Sequence, residues 1–251
     1  MTMARKTVLS AIAVTLIVLL AGCASSYGKA AGTTNATTHT TRQAYTPHIN
    51  PASFSTTIDN KYFPLKPGTT YVYQGKSGGT AERDVMTVTH STKQIMGVKC
   101  VVVDDRVWAH GNLTEKTFDW YSQDKKGDVW YFGENSKEYK NGKWSTEGSW
   151  EAGKHRAKPG IIMQAKPKVG QTYRQEYLKG VAEDMGKVID LNGSVKVPYS
   201  SFKHALVTKE WSPLEPGVAH KYYGAGVGDA KEVAVKGPLE TLELLDVRSN
   251  G

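Results

Sequence analysis

From Ile58 onward the chain alternates apolar and polar residues in short runs rich in Val, Tyr, Trp and Thr. Turn residues interrupt these runs at the roughly 8–12-residue spacing of antiparallel all-β domains. The alternation predicts strands over 69–74, 84–90, 98–108, 116–122 and 128–133. A later set falls at 172–178, 187–190, 194–197, 205–211, 220–223, 230–235 and 239–247. Lys125-Lys126-Gly127-Asp128 reads as the hairpin turn between the fourth and fifth strands, and Lys140-Asn141-Gly142-Lys143 supplies another through its Asn-Gly pair. Helical periodicity is nearly absent; only 199–204 has the look of a helical turn. The expected fold is an antiparallel β-meander curled into a twisted sheet, with very little helix.

The second set of strands echoes the first. Pro67-Gly68-Thr69-Thr70-Tyr71 matches Val169-Gly170-Gln171-Thr172-Tyr173, Val102–Trp108 aligns with Ala205–Trp211, and Trp120-Tyr121 falls on Tyr222-Tyr223. The spacing is kept better than the residues, which points to two similar halves, an internal repeat of 64–133 and 166–247. A Trp- and Gly-rich link, 134–160, joins them. Upstream, residues 24–55 are dominated by Ser, Thr, Ala, Gly and Asn and offer little to fill a core. Such a composition does not offset its chain entropy, so it reads as a flexible tether.

The first residues read differently. Arg5 and Lys6 precede an apolar run, Val8 to Leu20, that is too short to cross a bilayer core of about 30 Å, which takes about 20 helical residues. A positive start, a short apolar centre and small residues before a cut site form a secretory leader. The run ends in Leu20-Ala21-Gly22-Cys23, which resembles the lipobox of bacterial lipoproteins. That resemblance implies cleavage after residue 22, a diacylglyceryl group on the Cys23 thiol, further acylation such as palmitate, and a lipid bilayer as the partner. Burying acyl chains contributes about 0.8 kcal/mol per CH₂, and two chains hold where one releases. Ala24 and Ser25 follow the cysteine with no aspartate, a pattern that in lipoproteins of two-membrane bacteria directs the outer membrane; otherwise the outer face of the cell membrane applies. The expected organisation is a leader at 1–22, a lipidated tether at 23–55 and a single β domain at 56–251.

Lys221-Tyr222-Tyr223-Gly224-Ala225-Gly226-Val227-Gly228-Asp229, taken with Asn60-Lys61-Tyr62-Phe63-Pro64-Leu65-Lys66-Pro67-Gly68-Thr69, resembles segments of uncharacterised secreted β-meander lipoproteins. Some of these have an open half-barrel like that of lipoprotein carriers, so the resemblance adds a half-barrel to the shapes expected of the sheet. It implies no catalytic residues.

Losing the leader removes Arg5 and Lys6, and the formal charge falls from +8 to +6. Behind an export signal, a moderately basic surface matches anionic head groups or envelope polymers. Nucleic acid is not expected: there is no zinc-finger spacing, RNA-binding aromatic signature or dense arginine helix. Of the two cysteines, Cys23 is claimed by the lipid, leaving Cys100 without a partner inside Val98–Val103, where it fits as a small buried hydrophobe.

Candidate chemistry concentrates in Phe118-Asp119-Trp120-Tyr121 and Val129-Trp130-Tyr131-Phe132-Gly133-Glu134. Strand alternation gives both faces of this hairpin aromatic rings. One face must be core; the other is either covered by more protein or forms a platform. Rings flanked by carboxylates suit sugars and lipid chains, making Trp120, Trp130, Tyr131, Asp119, Glu134 and Trp150 the candidate contacts for a lipid or glycan. Trp144 and Trp150 lie in the irregular link, as a lid or as packing against the core. Asp119, Glu134, Glu147 and Glu151 are the acids from which paired-carboxylate glycoside hydrolysis would draw. The seven histidines lack metal-ligand spacing, and neither a Gly-x-Ser-x-Gly elbow nor a phosphate-cradling glycine loop occurs, so no cofactor or metal is expected. The leading expectation is an envelope lipoprotein that binds a lipid, glycan or other envelope component without catalysis. A carbohydrate-active hydrolase and an assembly module for another envelope protein are the alternatives.

Overall fold

In a computed structural model, which describes residues 44–249, alternating side chains build one long antiparallel sheet. Its strands are β1 (Phe54–Ser55), β2 (Thr69–Ser77), β3 (Thr80–Ile95), β4 (Val98–Ala109), β5 (Asn112–Asp124), β6 (Val129–Lys140), β7 (Lys143–Ser145) and β8 (Trp150–Glu151). They continue as β9 (Lys158–Met163), β10 (Thr172–Arg174), β11 (Glu176–Tyr177), β12 (Met185–Lys196), β13 (Ser201–Trp211), β14 (Val218–Gly224), β15 (Gly228–Lys236) and β16 (Glu240–Ser249). Among the described residues the sole helical element is a 3-10 turn, Pro51–Ser53. Cys23 and the expected leader lie outside the described residues.

The sheet runs β10-β12-β13-β14-β15-β16-β2-β3-β4-β5-β6-β9-β11. Its two ends, β10 and β11, are neighbours in the chain across Gln175, so the sheet curls into a nearly closed barrel. The closure is tight: a Cβ at Gly160 of β9 would lie 2.3 Å from the Gln175 carbonyl, so only glycine fits there. The expected all-β meander is therefore what forms. The hairpin turns at 125–128 and 140–143 also form, the latter with Asn141 and Gly142 at φ 52° and 80°, the positive pair that a type I′ turn requires.

Differences from the sequence reading have local causes. Residues 187–190 and 194–196 belong to a single strand, β12, whose register shifts at Asp190 and Gly193 absorb the break in alternation. The expected helical turn at 199–204 is corrected: Ser201 to His204 open β13, with Ser201 opposite Lys196 and Phe202 opposite Val195, and the left-handed backbone of His204 (φ 57°) disturbs the pattern. The Trp- and Gly-rich link contributes β7 and β8 to the outer edge of β6. Inside the expected tether, the described part is packed. The Tyr45 hydroxyl donates to the Pro159 carbonyl (2.9 Å), β1 pairs with β5, and Phe54 sits edge-on against Trp130 and Phe132.

The interior is divided along the strands. Towards the turns at 95–98, 124–129 and 224–228 it is apolar, with Val88, Val103, Tyr121 and Val129 buried. Ile58, Tyr62, Phe63 and Leu65 cover this end. Asn60 fixes the cover by donating to the carbonyls of Gly127 (2.9 Å) and Gln164 (3.2 Å). Towards the turns at 77–80, 109–112 and 236–240 the inward positions hold Glu82, Asp84, Asp105, Glu115, Thr117, Glu210, Lys221, Glu232 and Glu240, all buried.

Candidate functional site

The β5–β6 hairpin contains a bulge that redirects its side chains. Asp119 faces Glu134 and Tyr121 faces Tyr131, so Trp120 alone opposes Phe132 and Gly133. Gly133 makes this possible: its φ is 133°, and a Cβ would lie 2.4 Å from the Trp150 carbonyl oxygen. With one extra residue in β6, Tyr131 and Glu134 come to the same inner face. The Tyr131 hydroxyl donates to Asp119 Oδ1 (2.7 Å) and reaches Glu134 Oε2 at 3.1 Å. A tyrosine hydroxyl has one proton to give, so both contacts are met when Glu134 carries its own. Tyr121 stacks on Tyr131 at 4.8 Å and Trp150 meets it edge-on at 5.2 Å.

Asp84 and Asp105 extend this cluster, each with one carboxyl oxygen lacking a hydrogen bond. Burial, then the neighbouring Asp105, pushes the Asp84 carboxyl well above the usual range. Burial and Asp105 do the same to Asp119, against the opposing pull of the Tyr131 hydroxyl. Glu134 is raised by burial, Asp119 and Glu176. Burial and mutual repulsion favour the protonated form of these acids, because four ionised carboxylates could not share a dry interior.

A second cluster lies across the barrel. Lys221 Nζ sits 3.4 Å from Glu210 Oε2 and 3.3 Å from Glu232 Oε2. Glu210 Oε1 accepts from the hydroxyls of Thr208 (2.7 Å) and Tyr223 (2.9 Å). Burial disfavours the ammonium, but Glu232 and Glu210 outweigh it and hold Lys221 protonated. Burial lifts Asp184 and Asp229 to about 7, with Lys221 restraining both.

The sequence-predicted contacts are distributed as follows. Asp119, Tyr131, Glu134 and Trp150 converge inside the barrel, 3, 0, 1 and 4% exposed. Trp120 is buried on the outer side beneath Lys93, whose Nζ lies 3.3 Å from the ring centroid. Trp130, half-buried beside Phe54, donates from Nε1 to Asp124 Oδ2 (3.1 Å). Of the acids weighed for hydrolysis, Asp119 and Glu134 meet at one hydroxyl, which fills the gap of about 5–9.5 Å that a glycosidic bond would need. Glu147 is exposed, and Glu151 is held below the usual range, despite partial burial, by hydrogen bonds from Lys93 (2.8 Å) and Lys154. Trp144 separates from Trp150: it is exposed and packs edge-on with Tyr139. Cys100 is wholly buried and its thiol is pushed up to about 12 by burial. Among the described residues no group of three or more His, Cys, Asp or Glu is arranged to hold a metal ion.

Sequence reasoning missed the outer face of β3–β6. The register sets Arg83 opposite Trp108, Val85 opposite Arg106, Arg106 opposite Lys116, and Lys116 opposite Lys137. A shallow groove of about 580 Å³ opens here, lined by Arg83, Val85, Trp108 and His110 with Glu82 at its wall. The signal lay in the odd-even alternation of these strands, and reading it required the cross-strand register.

No protein-family model and no curated protein matches this chain. Among solved structures, it is similar to a protein from Bacteroides fragilis described as exported and of YmcC-like fold, with 12% identity, a TM-score of 0.47, and coverage of 75% of this chain and 99% of the other. It is also similar to a protein from Parabacteroides distasonis described as a lipoprotein, with 13% identity, a TM-score of 0.41 and coverage of 75% and 99%.

Proposed function

We propose that this chain is an exported envelope lipoprotein, anchored through acylated Cys23, whose β domain binds a lipid, glycan or other envelope component without catalysis. The lipobox Leu20-Ala21-Gly22-Cys23 behind Arg5, Lys6 and a short apolar run carries the reading. The leader ends at residue 22, and the outer membrane is the destination in a two-membrane cell. Two copies of one meander make up the domain; in support, Gly68 N–H donates to the Val88 carbonyl (2.8 Å) and Gly170 N–H to that of Val188 (2.9 Å), in turns of the same form.

The non-catalytic part of the proposal draws on the enclosure of the acids: Asp119 and Glu134 saturate one buried tyrosine instead of facing a cleft. Trp130, partly exposed at the rim of the aromatic hairpin, is the contact left open to a ligand. Palmitate labelling in the native host, with mass spectrometry of the N-terminal peptide, tests the anchor. Label is expected on Cys23 and none in Cys23→Ser. A free thiol at Cys23 in the exported protein, or an uncut leader, overturns it.

A further inference from the structure

The outer face of β3–β7 sets three cations in a row across neighbouring strands, Arg106 opposite Lys116 and Lys116 opposite Lys137. Like charges directly opposite destabilise a sheet, so such a row calls for a compensating anion. Asp104 binds Arg106 through both oxygens (3.0 and 2.8 Å) and is the carboxylate this row meets on its own face. Arg83 adds a further exposed cation at the groove beside Trp108. At the end of β6 the hairpin turn carries Lys143 and the exposed pair Tyr139 (48%) and Trp144 (46%), whose rings touch each other edge-on at 5.5 Å. Exposed tyrosine and tryptophan with adjoining lysines are the side chains that settle at a membrane interface, rings at head-group level and ammonium groups on anionic lipid.

We infer that this face, from Arg83 across Arg106, Lys116 and Lys137 to the Tyr139–Trp144 hairpin tip, docks the domain onto an anionic bilayer surface. Charge complementarity selects the occupant: cations and interfacial aromatic rings occur together here. The chain permits the approach, because the 21 residue-to-residue steps from Cys23 to Ala44 could span up to about 75 Å if extended. The inference extends the proposed function, and its test removes the acyl group so that the two fail separately.

The chain from residue 23 on, carrying Cys23→Ser, is sedimented with vesicles of phosphatidylcholine alone or with three parts in ten of phosphatidylglycerol. Binding to the anionic vesicles at least about tenfold tighter than to neutral ones, and weakened by salt, is expected. Lys116→Glu with Lys137→Glu should abolish that preference. Tyr139→Ser with Trp144→Ser, confined to an exposed hairpin tip, should reduce binding severalfold while leaving the unfolding midpoint in place. Equal binding to both vesicles overturns the inference, as does anionic binding that survives both double variants. Binding to polygalacturonate with vesicles ignored also overturns it, in favour of an acidic glycan. None of these outcomes bears on whether Cys23 is acylated in the native host.

Discussion

The two buried clusters occupy equivalent positions and are neutralised by different means. In the first half Asp119 faces Glu134, and one bulge later Tyr121 faces Tyr131. In the second half Lys221 faces Glu232, and one bulge later Tyr223 faces Asp229. On the preceding strand Val103 faces Asp119 and Thr208 faces Lys221, with Asp105 and Glu210 two residues further along. One geometry thus places a carboxyl in one half where the other has an ammonium. The second cluster is an ion triad; the first survives by keeping its protons. A barrel can bury acids by either route, and wherever a buried acid keeps its proton, stability falls as the pH rises.

The largest effect that separates them is pH itself. Asp184 and Asp229, raised to about 7, bind protons in the folded state that the unfolded chain has released above about 4. Stability from such groups is fully present below the unfolded pKa and is lost as pH rises through about 7, opposite in sign to acid denaturation. Each contributes on the order of 3 kcal/mol between pH 5 and pH 8 if it titrates alone. Urea unfolding should therefore give a higher midpoint at pH 5 than at pH 8. Because Lys221 restrains Asp184 and Asp229, hydrogen exchange on raising the pH should quicken in β12–β15 before β3–β6. A midpoint that rises with pH would mean that the interior is ionised and paired throughout.

Removing the lysine breaks the comparison from the other side. Lys221→Met leaves Glu210 and Glu232 buried against each other, a loss of about 3–5 kcal/mol at pH 7. Lowering the pH should recover part of it, as the two carboxyls take up protons and come to resemble the first cluster. If the variant is as stable as the parent at pH 7, the triad is not what neutralises this half.

The tyrosines give a smaller, paired contrast. Tyr131→Phe deprives both Asp119 and Glu134 of their shared hydroxyl, costing about 1–3 kcal/mol for buried groups left unsatisfied. Tyr223→Phe removes one of several partners of Glu210, which keeps Thr208 and Lys221, so about 1 kcal/mol is expected. Equal losses in thermal unfolding would erase the distinction drawn between the halves.

Much of this architecture was legible in the chain, and the limits are physical. Alternation located the strands because, over the apolar end of the barrel, buried inward residues alternate with more exposed outward ones. It faltered where a bulge shifts the phase, at Asp190 and Gly193 in β12 and at Gly133 in β6. Phase explains the acids too: Asp119 and Glu134 were recognisable as candidates, yet without the bulge Glu134 would fall on the face opposite Tyr131. Gly133 inside an aromatic strand was the available signal. The echo between the two stretches is a matter of spacing: it sets Val103 beside Leu206, while across the strands Val103 faces Asp119 and Thr208 faces Lys221. Pairing partners, not residue identity, fix which side chains correspond, and they also expose the Arg106–Lys116–Lys137 row.

The smallest effect is the most diagnostic, because it changes sign. Asn at position 119 keeps a carbonyl oxygen to accept from the Tyr131 hydroxyl but has no proton to lose. At a pH low enough for Asp119 to hold its proton, Asp119→Asn replaces one neutral acceptor with another and should cost less than about 1 kcal/mol. As the pH rises the parent must either keep its protons against solvent or place charge among Asp84, Asp105 and Glu134, while the variant has one fewer acid in that contest. The difference between the two midpoints should shrink and then reverse above neutrality. A constant difference across pH would show that Asp119 does not change charge on folding, and the first cluster would then need a neutralising partner of another kind.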